Sequence, residues 1–217
     1  MKENSLIITL EQAYDELEIS GQQRGSIGTY LGLIYNKDVP TWEHSVRVGL
    51  IGKKIAQYTH IVEPKALFYP GLLHDSGKPL VDSASLNAEN FDEDDMKELE
   101  RHVLYGYKLL KDIHPFSAAV LLFHHYFQEN KYPKHLPANW DNGYTEGEKA
   151  LIKYCGRLLS IADTYDAMTT RTNNKFVEDG TERVKKLTPE EAREKMFATN
   201  KDQTFLIEQL YKEEIFK

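Results

Sequence analysis

Cysteine is almost missing from the chain: its 217 residues include one, Cys155. That excludes an internal disulfide and any zinc site built from several thiolates, so metal chemistry must rest on histidines and carboxylates. No apolar run approaches the roughly 18 residues of a membrane span. The opening Met1-Lys2-Glu3-Asn4 lacks the basic and then apolar layout of an export signal. A soluble, cytoplasmic protein is expected. Positive charge is in deficit, with 27 Lys+Arg against 34 Asp+Glu and a net charge of -7, the wrong sign for gripping a nucleic-acid polymer through its phosphates. A small anionic substrate then needs locally concentrated positive charge, such as bound metal ions. Alternating strand patterns, internal repeats and low-complexity segments are all missing.

What is present is helical periodicity over nearly the whole chain. With 41% apolar residues and this length, a sizeable core is expected, and the fold class reads as all-α, a helical bundle. A helical extension over 1–40 precedes the main domain over 41–217. Thr9-Leu10-Glu11-Gln12 has the pattern of a capping box for a short helix stopped by Gly21. A second helix is predicted over 26–35, and Asp38-Val39-Pro40 breaks the chain before a long helix over 41–60. A helix led by Pro64 ends at His74-Asp75-Ser76-Gly77. The stretch 82–90 reads as a loop. The cluster Asp92-Glu93-Asp94-Asp95 suits a helix N-terminus, and a helix opened by Pro115 is predicted to run to His124-His125. Thr145-Glu146-Gly147-Glu148 caps the helix that carries Asp163 and Asp166, and Thr188-Pro189-Glu190-Glu191 starts another. A loop is expected over 172–180.

Five of the 8 histidines are embedded in, or end, apolar helical faces: His44, His74, His102, His124 and His125. A lone buried histidine usually bonds a backbone carbonyl. Four separate helices each delivering one to an apolar side, with a fifth delivering Asp163, is how helical bundles build metal sites. Five histidines with Asp75 and Asp163 exceed the needs of one ion, so two divalent transition-metal ions are expected, iron or manganese first and zinc or nickel as alternatives. Asp75 is the natural bridge, because a carboxylate offers two oxygens. Adjacent helical residues diverge by about 100°, so His124 and His125 meet one site only if their helix frays. His60, His114 and His135 have no aligned partner and read as surface residues, and Cys155 as a core residue. Asp166, on a face neighbouring Asp163, reads as support for a ligand.

In this order, His44, His74-Asp75-Ser76-Gly77-Lys78, His102, His124-His125 and Asp163 resemble the ligand set of the HD superfamily. More narrowly they resemble its HD-GYP branch, through the HDxGK motif at 74–78 and Ala162-Asp163-Thr164-Tyr165-Asp166-Ala167 followed by Arg171. The resemblance spans roughly 40–175. It implies one ion on His44, His74, Asp75 and Asp163, and a second on Asp75, His102, His124 and His125. It also implies that Lys78 contacts a substrate phosphate and that a metal-bridging hydroxide hydrolyses a phosphodiester, with cyclic di-GMP or a related cyclic dinucleotide as substrate. Arg47, Arg171 and Tyr132 are candidate substrate contacts. The chain departs from the branch after the paired histidines, where only Tyr132-Pro133 remains of the Gly-Tyr-Pro ending. Pro40 stands where some members carry a third-metal glutamate. The alternatives are an HD-type nucleotidase or phosphatase acting on a mononucleotide or alarmone, and a non-catalytic domain that binds a nucleotide. Beyond a small phosphorylated nucleotide, the expected partners are a second copy in a homodimer or a separate regulatory protein.

Overall fold

The computed structural model describes residues 2–82, 92–170 and 187–217. Nine α-helices and no strand occur among the described residues: α1 (Lys2–Glu16), α2 (Gly21–Lys37), α3 (Val39–Thr59), α4 (Lys65–Leu73), α5 (Glu93–Leu110), α6 (Pro115–Leu121), α7 (Glu146–Thr170), α8 (Pro189–Thr199) and α9 (Thr204–Lys212). The all-helical expectation holds. A short 3-10 turn over Lys78–Leu80 follows the His74-Asp75 corner. The expected loops at 82–90 and 172–180 lie, beyond Asp82, outside the described residues, as does Arg171.

Helices α3, α4, α6 and α7 pack on one another at the centre; α1 and α2 cover α3 and α4, α5 lies on α6, and α8 covers α7. Leu10 and Ala13 of α1, Ile27 and Ile34 of α2, Val48 and Ile55 of α3, and Leu158 and Ile161 of α7 belong to one buried hydrophobic cluster. The N-terminal helices therefore share the core of the remainder. Each of the Leu, Ile and Val side chains contributes about 1.5–3 kcal/mol on burial.

Local signals explain most helix starts. Asp38 caps α3, accepting from the Thr41 backbone N–H at 2.9 Å. Asp92 accepts from the N–H groups of Asp94 and Asp95, so the acidic cluster does complement a helix N-terminus. The boxes at Thr145 and Thr188 form as the sequence suggests, each cap being worth about 1 kcal/mol.

Two expectations near the N-terminus are corrected. Thr9 is no cap but lies inside α1, its hydroxyl donating back to the Ser5 carbonyl at 2.9 Å, because Leu6 also packs on the core and carries the helix upstream. Gly21 does not stop a helix; it opens α2 behind a capping box formed by Ser20 and Gln23, so α2 starts five residues before the predicted 26.

Glycines set the depth of the central crossings. A Cβ on Gly71 would lie 2.6 Å from the Gly49 Cα, and one on Gly52 would lie 2.9 Å from the Leu67 carbonyl oxygen, so α3 and α4 touch backbone to backbone. A Cβ on Gly156 would sit 2.4 Å from the Phe123 Cβ, which brings α7 against the turn after α6.

Candidate metal centre

The central packing carries the seven predicted ligands to one point. His44 comes from α3, His74 and Asp75 from the end of α4, His102 from α5, His124 and His125 from beyond α6, and Asp163 from α7. Helix α6 ends at Leu121 and the chain continues in turns through 127. The fray that two adjacent histidines require is there, and it begins three residues earlier than the sequence suggested.

The ligand atoms divide into two groups. Those of His44, His74 and Asp163 lie within 4.8 Å of one another, and so do those of His102, His124 and His125. Asp75 stands between the groups with one oxygen toward each. Its Oδ2 is 3.4 Å from His74 Nε2 and 3.9 Å from His44 Nε2, while its Oδ1 is 3.5 Å from His102 Nε2.

The outer nitrogens of the rings fix their protons. His74 Nδ1 is 2.8 Å from the Gly71 carbonyl oxygen, His102 Nδ1 is 2.6 Å from that of Leu99, and His124 Nδ1 bonds that of Leu121. A carbonyl only accepts, so each Nδ1 carries the proton and each Nε2 turns a lone pair inward. His44 differs in using a carboxylate, with Nδ1 2.7 Å from Asp166 Oδ2.

Acceptors therefore face acceptors across the centre. His102 Nε2 and His124 Nε2 are 3.3 Å apart, His74 Nε2 is 3.4 Å from Asp75 Oδ2, and His102 Nε2 is 3.5 Å from Asp75 Oδ1. Converging lone pairs with no proton between them repel unless a cation joins them. The donor set, imidazole with carboxylate, thus fits divalent transition metal.

Electrostatics keeps the ligands in the form an ion needs. Burial pushes the His74 imidazole down to about 4 and the His102 imidazole down to about 3, against the opposing pull of Asp75. Burial also lowers His124 and His125. For Asp75 burial alone would favour the neutral acid, but His74, Lys78 and His102 outweigh it and hold the carboxyl well below its usual range. Asp163 is held low in the same way by its histidine neighbours.

The remaining candidates take defined places. Lys78 is buried, with its ammonium 2.6 Å from Asp75 Oδ2. Arg47 lies against Asp166, with Nε 2.8 Å from Oδ1. The Tyr132 ring is only 4% exposed and stacks on His125 at a centroid distance of 4.3 Å, with its edge toward His102. His60 and His135 are exposed as expected. His114 is not a plain surface residue: its Nε2 is 2.8 Å from the Ser26 hydroxyl and its ring contacts Tyr30 and Tyr69. Cys155 is buried in the core.

Sequence reasoning did not single out the glycine that lets α5 reach the centre. A Cβ on Gly77 would fall 1.9 Å from the His102 carbonyl oxygen and 2.5 Å from the Gly106 nitrogen. Only a hydrogen fits there, and the close approach brings His102 to Asp75. The Gly77 and Gly106 pair, 29 residues apart in the sequence, was a usable signal only together with the fold.

An all-helical bundle that converges histidines and aspartates from five segments on two adjoining groups defines a class of proteins with a buried site able to hold divalent metal. The chain matches the family model described as HD domain over residues 41–168, more than half its length, and it belongs to that family. HD domains are generally metal-dependent hydrolases, and a metal-dependent phosphohydrolase is the class of enzyme that membership indicates. No curated protein sequence matches the chain. No helix among the described residues is long and apolar enough to cross a membrane.

Proposed function

We propose that the protein is an HD-GYP-like phosphodiesterase that hydrolyses a cyclic dinucleotide, cyclic di-GMP or a related molecule, in the cytoplasm. The observation that carries this reading is the placement of Asp75, one oxygen toward His44 and His74 and the other toward His102. His44, His74, Asp75 and Asp163 would hold one divalent ion, and Asp75, His102, His124 and His125 a second, iron or manganese in the first instance. Bound there, the ions supply Lewis acidity toward phosphate oxygens and lower the pKa of coordinated water.

The chain's own groups do the rest. The carbonyl-bonded Nδ1 atoms hold the His74, His102 and His124 rings in one tautomer and one orientation, so these need not reorganise as charge develops. Lys78 adds a positive charge beside the bridging carboxylate, where it orients Asp75 and attracts an approaching phosphate. Arg171 is assigned a second phosphate contact on its place in the motif. Tyr132 is assigned a different part from the substrate contact first expected: stacked on His125, it keeps that ring turned to the centre.

One observation favours a second reading, a phosphatase or nucleotidase acting on a mononucleotide or alarmone. The Tyr132 ring, a candidate substrate contact, lies against histidines, which suits a smaller substrate.

The test is elemental analysis of the purified protein together with hydrolysis of cyclic di-GMP, a linear dinucleotide, a mononucleotide and a generic phosphodiester in added manganese(II) or iron(II). About two ions per chain with cleavage of the cyclic dinucleotide supports the proposal. The same metal content with only mononucleotide cleavage replaces it with the second reading. Absence of both metal and turnover leaves a nucleotide-binding domain without catalysis.

A further inference from the structure

The two ligand groups are backed differently. On the His102 side, His102 and His124 lean on backbone carbonyls, and His125 Nδ1 is 3.1 Å from the side-chain oxygen of Gln128. His125 is also the most exposed of the seven predicted ligands, its side chain 14% accessible. On the His44 side all three residues are buried; His74 again leans on a backbone carbonyl, that of Gly71, but His44 leans on an ionised carboxylate.

That carboxylate is itself clamped. Arg47 donates from Nε to Asp166 Oδ1 at 2.8 Å and from a terminal nitrogen to Oδ2 at 3.1 Å, and the Thr170 hydroxyl is 3.0 Å from Oδ2. The same terminal nitrogen reaches the Thr170 hydroxyl at 3.1 Å, and Glu43 holds the other at 3.5 Å. The titratable and charged groups facing Asp166 are thus His44, Arg47 and, through Arg47, Glu43. Helix geometry produces the arrangement from both sides. Asp163 and Asp166 are three residues apart on α7, and His44 and Arg47 three apart on α3, so the two helices meet through two facing pairs.

A carboxylate accepting from the outer nitrogen of a ligand histidine fixes the ring and increases the electron density on the inner nitrogen; a neutral amide oxygen does so less. We propose that Asp166, held by Arg47, is a positioning residue that makes the His44, His74 and Asp163 side the tighter of the two cation sites, filled first and emptied last. The inference rests on the two-metal reading above and adds a rank between the ions. It assigns Arg47 to the clamp and not to the substrate.

The test titrates manganese(II) into the metal-free full-length protein and counts free ion by its six-line paramagnetic resonance signal. Two affinity classes are expected for the wild type. Asp166→Asn should weaken the tighter class by about 10–100-fold and leave the weaker class in place. Arg47→Gln should weaken the same class by less, and Arg47→Lys should restore part of the loss. His125→Ala should remove only the weaker class. Circular dichroism of each metal-free variant establishes that it is folded, and Asp166→Glu serves as a second variant if Asp166→Asn is not. Equal weakening of both classes by Asp166→Asn, no change in either, or loss of the tight class in His125→Ala overturns the rank while the two-ion reading stands. A wild type that takes up no manganese overturns both. A wild type that shows the rank but cleaves only mononucleotides overturns the substrate assignment and leaves the rank.

Discussion

The Lys78 ammonium lies 2.6 Å from Asp75 Oδ2, the same carboxylate oxygen that faces His74 and His44. Lysine and aspartate are three residues apart on a tight corner, both are buried, and the pair places one fixed positive charge where, on the proposed reading, two ions would share a carboxylate. Removing Lys78 leaves Asp75 with one less counter-charge in a dry site, a change that typically costs about 3–5 kcal/mol. Lys78→Ala is therefore expected to lower the melting temperature of the metal-free protein, and added manganese(II) should recover most of the loss. Metal content should stay at the wild-type level while turnover falls on the order of 100-fold. Thermal melts with and without metal, beside elemental analysis, check both parts.

Asp75→Asn should act differently, because the amide keeps the size but cannot offer two anionic oxygens. Phosphodiester hydrolysis should fall to background and at least one ion per chain should be lost in elemental analysis. Normal hydrolysis by this variant would rule out a bridged centre.

Gly77 and Gly28 make a matched pair of substitutions. Alanine at Gly77 puts a methyl group into the His102 carbonyl and the Gly106 nitrogen, so the corner carrying Asp75 must move off α5. A loss of roughly 1–3 kcal/mol or more is expected, with loss of the ion held by His102. Alanine at Gly28, inside α2 with nothing within 4 Å, should stabilise by about 0.5–1 kcal/mol through helix propensity. Chemical denaturation of both variants gives the two signs directly.

Stability of the metal-free protein should fall with acid. In the unfolded chain a histidine takes up its proton near pH 6.5, whereas burial holds His74 to about 4 and His102 to about 3. Between those values the unfolded state binds more protons than the folded one, so stability is present above about pH 6.5 and is lost as pH falls toward 4. Asp75 and Asp163, held low, add to the loss at still lower pH. Melting temperatures of chelator-treated protein should be level from pH 7.5 to about 6.5 and decline from there to 4.5; a flat or rising profile below 6.5 contradicts the environment described for these rings.

The C-terminal helices provide a prediction remote from the centre. Arg157 is buried on α7 and meets Asp202 through two bonds of 2.9 and 2.7 Å, while the Asp202 side chain is mostly exposed. Asp202→Ala should cost about 2–3 kcal/mol because it leaves a buried guanidinium unpaired, and Arg157→Met less, because the aspartate left behind is hydrated. Urea denaturation of the two variants tests that order.

Much of this protein was legible in one dimension. Helical periodicity, the caps at Asp92, Thr145 and Thr188, and the order of His44, His74-Asp75, His102, His124-His125 and Asp163 are local or countable features. They determined an all-helical chain and a candidate set of histidines and carboxylates for metal, because capping and amphipathic spacing act within a few residues. The limits of local reading appear at Thr9, where a capping-box pattern lies inside a helix because Leu6 has a tertiary partner. The tertiary structure decided the rest. It parts the ligands into two groups around the two oxygens of Asp75, turns Arg47 onto Asp166, lays Tyr132 on His125, and closes α5 onto the Gly77 corner. Each of these is a contact between segments far apart in the chain, set by how deeply helices cross and which atoms a glycine admits. Such distances belong to packing, and no spacing along the sequence encodes them.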